Sequence, residues 1–326
     1  MYSVAAGMFR LGVQPVDGRT ETHTFAFDRQ YAAFLTEKVA ARAQLQRSYV
    51  LAGLRPELRA GVLRRVAEQA ARDSGGVLSW DGRVLSNAAL GWAGVLDVDR
   101  GTLEDLRRFR GPLSAVVGDV EPLDALDFLA MNVQEDLSVL AVDPVTGADH
   151  LAALHVLLPE KWAPLDKIGR PFTQVHAPVA GAGPLLASAP RLVQALVTRG
   201  PFVRFVWGVT PSGRLDHHPD LPPECSGPDG NEGVPADLGG VFLRVERQTL
   251  HPVPEGSGAL FTIRTYLTPL RDALTAERAA ALAAALGGMT PEQRQYKGLT
   301  RLGPALEGWL RKQRFAPETA GRSLSG

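Results

Sequence analysis

A single cysteine, Cys225, stands among the 326 residues. One thiol cannot close an intrachain disulfide. Nor can it hold an iron–sulfur cluster, which takes about four Cys ligands or a Cys/His mixture, or build a Cys-rich zinc site. No GxGxxG follows a strand pattern and no GxxxxGK[ST] occurs, so the familiar phosphate-cradling loops are missing. No run of about 18 apolar residues exists, which excludes a transmembrane helix by length. No charge of one sign dominates: 35 Lys and Arg stand against 35 Asp and Glu, so nothing in the overall charge favours nucleic acid or an anionic membrane. There is no HExxH and no linear trace of a Ser/His/Asp triad, so hydrolysis has no positive support. Under these exclusions, redox chemistry in this chain draws its electrons from another polypeptide.

What is present suits a globular protein with an ample core: 45% hydrophobic and 21% charged residues. The opening residues, Met1-Tyr2-Ser3-Val4, carry no basic n-region, so a cytoplasmic protein without a secretory leader is expected. The polar stretch 316–326 is expected to fray. No linker is visible. The chain therefore reads as a helical N-terminal extension over 1–130 packed on a core over 131–315.

In the extension, Asp28 is a plausible N-cap, and Tyr31, Phe34, Leu35 and Val39 then recur at helical spacing with Lys38 and Arg42 beside them. A second helix is predicted over 56–72. It has Pro at its first position and a stripe of Leu58, Val62, Leu63 and Val66, and it ends at Asp73-Ser74-Gly75-Gly76. Residues 77–122, rich in glycine, read as irregular, and 123–131 as a short helix. Strands are predicted over 137–142, 151–158, 202–209, 241–250 and 260–267, where β-branched and aromatic residues concentrate. Helices are predicted over 190–198, 275–286 and 301–312, and a Pro-, Gly- and Asp-rich loop over 210–240. Five strands with helices around them define an α+β fold built on an antiparallel sheet.

The densest polar stretch is Arg244-Val245-Glu246-Arg247-Gln248-Thr249. Strand alternation puts Arg244, Glu246 and Gln248 on one side and Arg247 and Thr249 on the other. The last strand offers Thr262, Arg264 and Tyr266 on one face. Buried there, such charges pair with each other or meet a ligand, and both readings stay open. Of the seven histidines, His23, His217 and His218 sit in polar loops and read as solvated, and His155 reads as core. His150 opens a strand and His251 follows one. His176, in Gln174-Val175-His176-Ala177-Pro178-Val179, has apolar neighbours and a proline-stiffened backbone. Such a histidine is more often a satisfied structural residue than a ligand. Gln134-Glu135-Asp136 sets two carboxylates before a strand. Glu160-Lys161-Trp162 and 166–170 read as surface.

The order of these segments is itself informative. Val133-Gln134-Glu135-Asp136-Leu137 comes first, then 158–170 (LPEKWAPLDKIGR), Val175-His176-Ala177-Pro178-Val179, Arg204-Phe205-Val206-Trp207, Arg244-Val245-Glu246-Arg247-Gln248-Thr249-Leu250 and 261–267 (FTIRTYL). This series resembles the haem-subunit family of haem-dependent oxidative N-demethylase, the dimethylamine monooxygenase type, over roughly residues 130 to 300. Val206-Trp207 stands where that family has Asn-Trp. His251-Pro252-Val253-Pro254 lacks the family's basic run.

The resemblance implies a fold like the Per-ARNT-Sim sensor domain, a five-stranded antiparallel sheet cupping haem b. It implies a haem iron held by histidine that activates O2 and demethylates a small secondary amine to release formaldehyde. NADPH, FMN and a 2Fe–2S centre belong to partner reductase subunits, and tetrahydrofolate captures the one-carbon product. His176 becomes the axial-ligand candidate, with Cys225 a lesser competitor. Arg244, Arg247 and Arg264 form the pool for the propionates. Glu246, then Glu135, would meet the cationic amine. Tyr266 could hydrogen-bond bound oxygen, and Trp207 could offer a ring face or fill the core. A haem-based gas or redox sensor on the same scaffold is the alternative.

Overall fold

The computed structural model describes residues 6–13, 15–16, 19–221 and 234–315. Cys225 and the stretch 316–326 lie outside the described residues. In chain order the strands are β1 (Phe9–Arg10), β2 (Pro15–Val16), β3 (Arg19–Thr20), β4 (Tyr49–Leu51), β5 (Leu78–Trp80), β6 (Val84–Asn87), β7 (Trp92–Asp97), β8 (Thr102–Arg108), β9 (Asp136–Val142), β10 (Asp149–His155), β11 (Phe202–Thr210), β12 (Phe242–Val253) and β13 (Gly258–Pro269). The fold is α+β. The five predicted strands are β9 to β13, and they lie side by side as β11-β12-β13-β9-β10, every pair antiparallel.

The sheet is nevertheless seven-stranded, not five-stranded. β1 adds to the outer side of β11, and β4 to the outer side of β10. These edge strands have two and three residues. A segment that short shows no alternation, and only its partner defines it as a strand.

The N-terminal third is likewise not helical alone. Helices form at Tyr31–Ala41 and Pro56–Asp73, the latter as read from its stripe. The glycine-rich stretch after it folds into a second antiparallel sheet, β5-β6-β7-β8. Its glycines serve as hairpin turns. Gly82 (φ 101°) sits between β5 and β6, and Gly101 (φ 75°) between β7 and β8, conformations that suit a residue without Cβ. One apolar core joins both regions: Leu58, Leu63, Val66, Leu85, Trp92 and Phe128 cluster with Leu137, Val139 and Leu260 of the large sheet. Within it, the wholly buried Lys38 donates through Nζ to the carbonyls of Ala130 (2.8 Å), Val133 (3.0 Å) and Glu135 (2.8 Å). That satisfies all three ammonium protons.

Register then sorts the polar strand residues onto two faces. Glu246 pairs with Val206 and Thr265, while Arg247 pairs with Phe205 and Arg264. One face carries Arg204, Gly208, Arg244, Glu246 and Gln248. Further along this face, Leu140, Leu250 and Ala259 pack under the helix Ala189–Thr198. The opposite face carries Arg247, Thr249, Arg264 and Tyr266. Helices Ala276–Gly287 and Leu302–Lys312 close a separate cluster around Val209, Val241 and Leu270.

Candidate functional site

The Arg–Glu cluster therefore divides. Arg247 and Arg264 face each other across β12 and β13, under the segment 21–30. Arg247 donates from Nε to Glu21 Oε2 (2.8 Å), from Nη1 to Thr24 O (3.2 Å) and from Nη2 to His23 O. Arg264 is wholly buried. Its Nη2 donates to Asp28 Oδ2 (3.1 Å) and Gln30 Oε1 (3.2 Å). Its guanidinium carbon lies 3.5 Å from the Phe34 ring centroid and 4.6 Å from that of Tyr266. These two arginines and Tyr266 thus belong to the clamp that holds the N-terminal segment to the sheet. Burial raises the Tyr266 hydroxyl pKa.

Glu135 sits in the same clamp. It is fully buried and accepts from Ala26 N at 2.7 Å through Oε1, while Oε2 has no partner among the described residues. Burial lifts its pKa from the ordinary 4.5 to about 7, against the pull of the Ala26 hydrogen bond and of Arg264 and Arg247. The folded protein therefore binds a proton here that the unfolded chain has released between about pH 4.5 and 7. Stability contributed by the neutral carboxyl falls as pH rises across that window. Glu135→Gln keeps the acceptor and cannot ionise. Relative to wild type, it should gain on the order of 1–3 kcal/mol between pH 5 and pH 8. Urea midpoints at the two pH values check this; parallel pH dependence in the two proteins would contradict it.

The other face is where the structure is open. β11 and β12 are central strands, yet Arg204, Val206, Gly208 and Glu246 remain part-exposed. A Cβ placed on Gly208 would meet no atom within 4 Å. A strand glycine beside open space marks a place where another group can approach the backbone closely. Glu246 accepts from Gln248 Nε2 at 3.0 Å, and its Oε1 lies 3.7 Å from Arg244 Nε. Burial raises its pKa, Glu160 adds to that, and both outweigh the attraction of Arg244. Arg244 itself is buried and turns toward Glu160 (Nε to Oε2, 2.8 Å), Leu215 O and Thr265 Oγ1.

His176 ends the short helix Phe172–His176. Its Nδ1 lies 2.8 Å from the carbonyl of Phe172, and its ring stacks on the Phe172 ring at 4.0 Å. A carbonyl oxygen can only accept, so Nδ1 carries the proton and Nε2 keeps its lone pair. A histidine that binds a metal is commonly oriented in this way, its other ring N–H held by a backbone carbonyl. Burial lowers the His176 pKa, and Lys167 and Arg204 lower it further, overcoming the Phe172 hydrogen bond. The imidazole is thus neutral at pH 7. Arg204, whose own pKa burial depresses, keeps a buried Nε without a partner among the described residues. Lys167 Nζ lies 4.4 Å from the Trp162 ring centroid, and burial lowers its pKa against the pull of Glu246.

A neutral imidazole with a free nitrogen, an uncommitted guanidinium nitrogen, a nearby ammonium and open space over Gly208 fit an iron-centred, dicarboxylate-bearing cofactor. Sequence patterns single out His176 and Glu246. They do not mark Arg204, Lys167 or Gly208. Arg204 lies two residues before Val206 on the same face, but alternation links it to Glu246 only once the β11–β12 register is known. Trp207 lies on the opposite face and packs with the C-terminal cluster, the core role. Lys297 donates to its carbonyl at 2.7 Å and lies 5.0 Å from its ring centroid.

The model of the family described as haem-dependent oxidative N-demethylase, alpha subunit-like, matches residues 96–307. That is about two thirds of the chain, and the chain belongs to this family. The match covers the imidazole, the open face and the sheet side of the clamp. Among the described residues no helix is long and apolar enough to cross a membrane.

Proposed function

We propose that this chain is the haem-binding oxygenase component of a system that oxidatively N-demethylates a small secondary amine. The observation that carries this reading is the His176 tautomer: Nδ1 is spent on Phe172 O, and Nε2 remains for iron. Haem b would be held by His176, with Arg204 and Lys167 serving its carboxylates. The five central antiparallel strands support a Per-ARNT-Sim-like scaffold extended at both edges. When bound, the haem supplies activation of dioxygen. Electrons come from a partner reductase that carries NADPH, FMN and a 2Fe–2S centre, in keeping with the subunit character in the family's name.

The chain's own contribution is to bind and orient the amine. Glu246 is a desolvated carboxylate beside the open face, and an ammonium is its natural counter-charge. A carboxylate facing the ammonium orients the amine nitrogen by a charge-assisted hydrogen bond at Oε1.

Two measurements test this together. Reconstituted with haemin, the protein should show a Soret band at one haem per chain; with a chemical reductant, O2 and dimethylamine it should release formaldehyde. Glu246→Gln keeps the shape and removes the charge. Haem content should persist while amine affinity falls by roughly 1.5–3 kcal/mol, a loss of about 10- to 150-fold. Unchanged amine affinity in a haem-loaded variant would remove Glu246 from the site. A protein that stays colourless would remove the haem reading itself.

A further inference from the structure

The contacts of His176 lie within its own helix: Nδ1–H reaches the Phe172 carbonyl, and the ring stacks on that of Phe172. Whatever fixes the helix Phe172–His176 therefore fixes the imidazole. A helix of five residues does not hold itself, since isolated helices shorter than about 12 residues are marginal in water. The first N–H groups of a helix have no intrahelical partner and need an acceptor from elsewhere. The N-cap here is Pro171, and its side chain offers none.

Asp149, the first residue of β10, supplies the acceptor. The stretch before the helix runs back along β10: Gly169 N donates to Leu151 O (2.8 Å), and Leu151 N to Arg170 O (3.0 Å). Gly169 takes φ 74° in this approach, a conformation that favours glycine. Pro171 continues in extended conformation, and Phe172 arrives beside Asp149. Phe172 N donates to Asp149 Oδ2 at 2.5 Å. The Phe172 ring is half-buried and packs against the cluster of Leu140, Val142 and Leu250. Phe172 thus links two groups: its N–H is held by β10, and its carbonyl holds the imidazole.

We infer that Asp149 is the positioning residue of His176. By tying the first N–H of the helix to β10, it keeps the imidazole turned with Nδ1 on Phe172 and Nε2 left for a ligand. The effect on haem rests on the proposal that His176 holds the iron; the effect on the imidazole itself does not. Without the Asp149 acceptor the Phe172 N–H is part-buried and unbonded. The short helix then opens locally, while the sheet, held by its own ladder, stays folded. Losing a side-chain acceptor at a helix start shifts that opening equilibrium by roughly 2- to 30-fold.

The test uses the full chain. In the haem-free wild type, nitrogen NMR of the histidine rings should show His176 protonated at Nδ1. In Asp149→Ala, the Gln174 and Val175 amides, which donate to Pro171 O, should exchange with solvent roughly 2- to 30-fold faster. His176 should then give the averaged signal of two exchanging tautomers, with unchanged circular dichroism. Asp149→Asn keeps an acceptor and should restore both signals. After haemin loading, haem should pass to apomyoglobin faster from Asp149→Ala than from wild type or Asp149→Asn. Unchanged amide exchange and an unchanged tautomer in Asp149→Ala would overturn the positioning role, whatever the haem content. Release of the tautomer in a protein that binds no haem would uphold that role and remove the iron reading instead. Should Asp149→Ala fail to fold, the wild type decides. A Phe172 amide that exchanges as fast as that of the exposed Thr173 would overturn the role, and a protected one would support it.

Discussion

His176→Ala should abolish stoichiometric haem binding while leaving the fold in place. The side chain is part-exposed, on a five-residue helix, and its protein contacts are the Phe172 carbonyl and ring. Losing them removes one hydrogen bond and one stacked pair, an effect on the order of 1 kcal/mol on stability. Losing Nε2 would remove the nitrogen proposed to hold the haem iron. Haemin titration of the two proteins should therefore give a sharp Soret band for wild type and a weak, shifted, free-haem-like spectrum for the variant. Melting temperatures of the haem-free forms should differ by only a few degrees. Added imidazole should restore part of the band, because it fills the space the ring leaves. Cys225→Ser should leave the spectrum alone. The reverse pattern, an intact band in His176→Ala and a lost one in Cys225→Ser, would transfer ligation to the thiolate.

His176 is legible in the amino-acid sequence and its cation partners are not, for a physical reason. Val175-His176-Ala177-Pro178 carries its signal locally, in the proline and the apolar flanks. Arg204 and Lys167 matter only through pairing that joins residues far apart in the chain, and no local pattern encodes that pairing. The same division runs through the fold. Each central strand announces itself by composition, as in the stretch LFTIRTYL at 260–267. The edge strands β1 and β4 exist only because β11 and β10 have open sides to receive them. Gly82 and Gly101 suggest irregular chain, yet each is the turn of a hairpin.

The face of a polar strand residue is a subtler case. Alternation correctly separates Glu246 from Arg247. What it does not give is the partner of each face: the segment 21–30 over one, open space over the other. For this reason Arg247 and Arg264 look equivalent to Arg244 in sequence. In the structure they are anchors of the N-terminal segment; His217, bonded to Glu160 57 residues away, is half-buried, and His218 is buried, so the expectation that this pair is solvated is corrected.

This distinction makes Arg264→Ala the largest stability effect to expect. The arginine is wholly buried and its guanidinium lies over two aromatic rings. Its Nη2 serves Asp28 and Gln30 together. Alanine leaves a cavity between Phe34 and Tyr266 and takes the counter-charge from Asp28. Removing one partner of a buried ion pair costs about 3–5 kcal/mol. Asp28 is 28% exposed and can recover some hydration, which places the value toward the lower end. For a chain of this size that is a drop of roughly 4–7 °C in melting temperature. Arg204→Ala, on the open face, should do the opposite. Arg204 makes no ion pair among the described residues, so melting of the haem-free form should change little, while haem affinity falls as a carboxylate partner is lost. Thermal unfolding of both haem-free variants, followed by haemin titration of each, separates the roles. If Arg264→Ala melts like wild type and loses haem, the clamp assignment fails and Arg264 returns to the cofactor. If Arg204→Ala unfolds early with its haem affinity intact, the two arginines have exchanged parts, and the open face is held together by Arg204 instead of being left available to a ligand.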